Sequence, residues 1–124
     1  MTDKSVVLTT ASSYEEAQKI ARQLVERKLA ACVNIVPQIT SIYRWQAKVE
    51  EARECLMIVK TTQSAFDQVC IAIKELHSYD LPECIGLKIE GGSGDYLKWI
   101  GESVEKPDPQ RSPRKSAKGA KKGR

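Results

Sequence analysis

The side chains best equipped for chemistry in this 124-residue chain are few and widely spaced. His77 is the only histidine, and imidazole is the commonest transition-metal ligand in proteins. A tight site needs three or four ligands, so His77 needs company. Glu54 and Glu83 can supply hard carboxylate oxygen, and Cys32 or Cys84 soft sulfur where not buried. His77 with Glu54 is the metal-binding reading; the plainer one is a helix-end histidine packed behind Ile73, with the glutamates as solvated turn and loop acids. Lys60, beside Thr61 and Thr62 and just ahead of a helix start, suits an anion, because free N–H groups and a partial positive charge gather there. Tyr79 with Glu83 can line a cleft between subunits, which makes Lys60, Tyr79 and Glu83 the ligand-cleft candidates.

Other chemistries find little support. The cysteines at 32, 55, 70 and 84 form no C-x-x-C pair, so neither a zinc ribbon nor a thioredoxin pattern is present. All four sit in or beside apolar runs and read as buried, reduced, structural thiols. A Cys–His dyad would need one of them beside His77. Gly91-Gly92-Ser93-Gly94 lacks the Gly-Lys-Ser/Thr ending of a phosphate loop. No glycine-rich loop carries the arginine of an acylphosphatase, and the buried strands are aliphatic where an RNA-stacking sheet would be aromatic. Tyr43, Trp45, Tyr79, Tyr96 and Trp99 read as core and subunit-contact residues. The expectation is a binding protein and not an enzyme.

Charge separates the chain into two parts. The net charge is +4, but residues 105–124 hold eight basic and two acidic side chains. Residues 1–104 are left with twelve basic and fourteen acidic ones, a mildly acidic domain. The tail reads as disordered, since it is Pro, Ser, Gly and Lys/Arg without a large apolar residue. Its charge could dock nucleic acid or acidic partners. No apolar run is long enough to span a bilayer, and Val6-Val7-Leu8 is too short for a signal-peptide core. A cytoplasmic location, with no membrane partner, is the default expectation.

The elements that must position these residues follow from periodicity. Val6-Val7-Leu8 predicts a strand covered on both faces. Ser13 and Glu16 form a capping box for an amphipathic helix ending near Leu29. From Cys32 the period becomes two, and Pro37 implies a bulge or an edge. Residues 46–54 read as a projecting polar turn, and Cys55–Val59 as a buried strand. Thr62 and Ser64 are candidate caps for a helix carrying Phe66, Val69, Cys70, Ile73 and Leu76. Ile85, Leu87 and Ile89 alternate as a last strand, and Asp95 is a candidate cap for a short helix. The order β-α-β-β-α-β plus a terminal helix predicts an α+β, ferredoxin-like sandwich on an antiparallel sheet. Helices on one face leave the other sheet face to be covered by copies of the chain, so an oligomer is expected.

Five segments, in order, resemble the CutA family of divalent-cation tolerance proteins: Glu26–Ile35, Ser41–Trp45, Lys60–Thr62, His77–Glu83 and Tyr96–Trp99. The resemblance covers roughly residues 5–103. It implies a ferredoxin-like subunit in a homotrimer similar to the PII signalling proteins, with copper binding, metal tolerance and no established reaction. Ala47 stands where many members have Gly, and Ser78 where they usually have Pro. Thr9 and Leu76 stand where some members carry a Cys and a second His implicated in copper binding, while Glu54 matches an acid implicated in those members.

Overall fold

Strand β1, Lys4–Ala11, buries Ser5, Val7 and Thr9 and leaves Val6 and Leu8 only half-covered. The run is covered on both faces but unequally, deeply on the Val7 face and only partly on the Val6 face. Helix α1, Tyr14–Glu26, starts where the Glu16 N–H donates to Ser13 Oγ at 3.1 Å. The reciprocal half of the capping box is displaced by one residue: the Glu16 carboxylate accepts from the N–H and hydroxyl of Ser12. The helix stops short of Leu29 because Lys28 turns into the left-handed region at φ 59, and the N–H groups of Leu29 and Ala30 fold back onto the Leu24 carbonyl.

Strands β2, Cys32–Trp45, and β3, Lys48–Thr62, make one long antiparallel hairpin. The ladder runs out to Trp45 opposite Lys48, so residues 48–54 are strand and only Gln46 and Ala47 turn. Both turn residues have positive φ, 51 and 68, the pattern that matches a two-residue turn to strand twist. The polar run was misleading as a loop signal because this end of the ribbon projects beyond the sheet, where a backbone ladder needs no apolar side chains. The expected irregularity at Pro37 is present: the register shifts between Val36 and Ile39, with Gln38 at φ 59.

A 3-10 turn, Gln63–Ala65, leads into α2, Phe66–Leu76. Neither Thr62 nor Ser64 caps it through a side chain; their hydroxyls bond each other at 3.2 Å. After the connection 77–84 comes β4, Ile85–Lys88, and then α3, Gly94–Ser103, capped by Ser93 and not by Asp95. The structure, a computed structural model, describes residues 2–106, so nearly all of the predicted basic tail lies outside the described residues.

The sheet order is β2-β3-β1-β4, and every pairing is antiparallel. Thr61 Oγ1 donates to the Leu29 carbonyl after α1, and Gly86, opposite Val7, lies so close to the Phe66 ring of α2 that a Cβ there would come within 2.7 Å of it. Both contacts place α1 and α2 on the face that carries Val7 and Val59. Arg27 of α1's cap and Glu75 of α2 tie the two helices at 3.0 Å. Lys60 and Lys4 point the other way and meet α3, at the Tyr96 ring and at Gly101. Ile20, Leu24, Met57, Val59, Val69, Ile73 and Ile100 form the fully buried centre. The second sheet face is poorly covered: Val36, Ile85 and Leu87 are 40–50% exposed.

Candidate functional site

The connection 77–84 joins α2 to β4 and has no regular structure of its own. Side-chain bonds hold it instead. His77 caps α2 by donating its N–H to the Ile73 carbonyl at 2.9 Å, and its ring enters the interior, 3% exposed. Nε2 lies 2.6 Å from the Thr10 carbonyl, and Nδ1 accepts the Tyr79 N–H at 3.0 Å. A carbonyl only accepts and an amide N–H only donates, so the ring is neutral with its proton on Nε2. Both nitrogens are committed, and ligating a metal would break one of these bonds. The histidine is the hydrogen-bonded helix-end residue that the plainer reading described.

Tyr79 turns from this anchor toward β3. Its ring meets that of His77 at a 42° tilt with centroids 4.7 Å apart, and its hydroxyl donates to Glu54 Oε2 at 2.9 Å. Glu54 sits where the β2 bulge lets β3 turn a carboxylate inward, opposite Ile39, and it is 2% exposed. Beside it opens a cavity of about 500 Å³. The α1 start contributes Ser12, Ser13 and Tyr14, the bulge Pro37 and Gln38, and β3 Arg53, Glu54 and Cys55. The wall thus combines a buried carboxylate, an arginine, three hydroxyls and a reduced thiol.

A second carboxylate braces the same connection. Glu16 Oε2 accepts the Ser78 N–H at 2.8 Å while Oε1 holds Ser12. Burial opposes ionisation of Glu16, but the hydrogen bonds from the Ser12 amide, from Ser78 and from the Ser12 hydroxyl outweigh it and hold the carboxyl below its ordinary value. Ser78, read from sequence only as a missing proline, does its work through a backbone N–H that proline lacks.

The structure therefore joins Glu54, Tyr79 and His77 and leaves Lys60 elsewhere. Lys60 is six residues along β3 from Glu54, roughly 20 Å at strand spacing, and its Nζ lies 5.8 Å from the centre of the Tyr96 ring. Tyr96 in turn meets the Trp99 ring at a tilt, centroids 5.4 Å apart. Glu83 is half-buried four residues beyond Tyr79 on the same connection. Among the described residues, no three His, Cys, Asp or Glu side chains gather as a metal site. Sequence reasoning missed Glu16, whose capping signal hid its second task.

One expectation about the cysteines is corrected. Cys70 and Cys84 form a disulfide, with Cα atoms 6.0 Å apart, and Cys32 and Cys55 remain reduced. The chain reverses after Pro82 to lay β4 against β1, and this brings Cys84 back over the middle of α2. A separation of 14 residues gives no short-spacing signal.

Comparison with known proteins identifies the lineage. The family profile described as CutA1 divalent ion tolerance protein matches residues 5–103. The chain belongs to the CutA1 family. It is 51% identical over 101 residues to the divalent-cation tolerance protein CutA of Thermus thermophilus, covering 82% of this chain and 98% of that one. The structure of the periplasmic divalent cation tolerance protein CutA from Archaeoglobus fulgidus superposes with a TM-score of 0.80 at 46% identity, over 82% of this chain and 99% of that one. A chloroplastic CutA of Arabidopsis thaliana is 46% identical over 80% of this chain, which spans only 54% of that relative's length. The CutA1 match begins on β1 and ends with α3, so it contains the whole Glu54–Tyr79–His77 network. No described helix is long and apolar enough to cross a membrane.

Proposed function

We propose that this CutA1 chain acts as a homotrimeric divalent-cation response protein, PII-like in assembly. It takes copper or another cation, or a small ligand, in a cleft between subunits built around Glu54 and Tyr79. The wholly antiparallel order β2-β3-β1-β4, with two helices on one face, supports a ferredoxin-like subunit. The observation that carries the functional reading is Glu54, a carboxylate buried to 2% exposure on the wall of a roughly 500 Å³ cavity. Its carboxylate, held on that wall by the Tyr79 hydroxyl, is a hard oxygen donor of the kind a cationic ligand takes.

Within one chain the donors do not complete a metal site, because His77 is fully engaged and no cluster of three ligating side chains is present among the described residues. Completion from neighbouring subunits fits the exposed apolar residues Val36, Ile85 and Leu87 on the second sheet face. In this arrangement Glu54 contacts the ligand, and His77 is a positioning residue that aims Tyr79. Calorimetric titration of copper and zinc into the full chain tests it. Glu54→Gln is expected to weaken binding about tenfold or more, as removal of a buried charged partner does. Isotherms unchanged by that substitution remove Glu54 as the ligand.

The charge division of the sequence favours a second reading, a trimeric scaffold that docks nucleic acid or acidic partners through residues 105–124. Its mark would be binding whose affinity falls steeply with salt. Duplex DNA binding that survives deletion of those residues would contradict it.

A further inference from the structure

The Cys70–Cys84 disulfide has no part in the reading above, yet it closes a ring of chain that contains every anchored residue of the site connection. Cys70 lies in the middle of α2, and Cys84 is the last residue before β4. Between them, His77 is fixed to Thr10, Ser78 to Glu16 and Tyr79 to Glu54. Beyond Cys84 comes an edge strand of four residues, paired on one side only and exposed throughout in the single chain. Both cysteines are partly buried and neither is sealed in the core, although Cys84 packs against it.

We infer that Cys70–Cys84 is a thiol–disulfide exchange site for small-molecule thiols, and that opening it loosens the connection that presents Tyr79 to Glu54. The exchange balances with a thiol of the glutathione class as reductant. One thiolate attacks a protein sulfur, the S–S bond breaks, and the other cysteine leaves as a thiolate that takes up a proton. A second thiolate attacks the mixed disulfide and releases the oxidised small molecule, so two electrons pass from two thiols to the protein. Reduction removes the covalent closure and leaves the hydrogen bonds of His77, Ser78 and Tyr79 as the connection's anchors. The rest of the sheet keeps its ladders, because β1, β2 and β3 pair without β4. Local loosening is thus the expected response of a segment held by few contacts. The inference stands independently of which ligand Glu54 receives.

Coupling between the two ends is reciprocal. If the closed disulfide strengthens the Tyr79–Glu54 contact, that contact must favour the closed disulfide by the same factor. The test equilibrates the full chain in glutathione redox buffers, with alkylation and mass spectrometry reading each cysteine, and follows amide exchange of both forms. Reduction is expected to speed exchange about tenfold or more in residues 78–88 while α1 and β1–β3 stay protected. The Cys70→Ser/Cys84→Ser variant should match the reduced form and ignore the reductant. Tyr79→Phe should lower the disulfide-to-dithiol equilibrium constant about fivefold or more. A pair that resists glutathione, an exchange increase spread over the whole domain, or an equilibrium untouched by Tyr79→Phe would each overturn the inference and leave the bond a structural staple.

Discussion

Thr9 carries a hydroxyl into a fully buried position on β1, and its Oγ1 finds no hydrogen-bond partner among the described residues. An unsatisfied buried polar group costs about 1–3 kcal/mol. Valine has the same shape without the hydroxyl, so Thr9→Val is expected to stabilise the protein by about 1 kcal/mol in urea unfolding. A loss of stability would show that the hydroxyl has a partner in the assembled molecule. Glu16 makes a pH prediction of definite sign. Its carboxyl is held below the ordinary 4.5. Its stabilisation is therefore complete above that value and is lost as pH falls through the lowered folded one. Urea midpoints measured from neutral pH downward should fall in that acid window, and Glu16→Gln should flatten the fall while lowering the neutral-pH midpoint. At this scale the sequence was half legible. Residue type alone singled out His77, Glu54 and Tyr79, but which nitrogen bonds to what depends on Thr10 and on the bulge, and both are set by distant chain. Lys60 lies apart from Glu54 because six residues of extended strand separate them by roughly 20 Å.

Elements were legible wherever a pattern repeats, as in the 3.6-residue spacing of α1 and α2 and the two-residue alternation of β2. They were obscure where backbone alone decides. Polar residues 48–54 hold strand geometry through a ladder that side-chain chemistry does not announce. The turn that closes this hairpin places Ala47 at φ 68, where a Cβ costs about 1–2 kcal/mol relative to a right-handed conformation. Glycine escapes that cost but brings more unfolded-state entropy. Ala47→Gly is thus expected to raise the stability of the chain by about 0.5–1 kcal/mol, read as a higher thermal midpoint with an unchanged spectrum. A lower midpoint would mean that the alanine methyl packs against something in the assembly. The disulfide was invisible for a related reason: its two ends meet only because β4 returns to pair with β1.

The whole molecule presents two sheet faces in different condition. One is sealed by α1 and α2 around Met57 and Val59. The other leaves Val36, Ile85 and Leu87 40–50% exposed with α3 as partial cover. Farther out, Ile42 and Val49 on the projecting ribbon are 69% and 66% exposed. Scattered apolar residues on a surface are ordinary, but here several share one sheet face and one ribbon, and that arrangement marks an interaction surface. At about 25 cal/mol per Å² of apolar area removed from water, covering such residues rewards association with an identical chain, and three copies would bring three cavities and three basic tails together. Light scattering on the full chain is expected to give three times 13.8 kDa. Replacing Ile85 and Leu87 together with glutamate puts charge on the exposed face without touching the buried centre. That variant should run as a folded monomer, with far-ultraviolet circular dichroism preserved. A wild-type monomer at micromolar concentration would remove the trimer. An unshifted trimer in the double variant would instead move the contact to the ribbon, where Ile42→Glu becomes the deciding substitution.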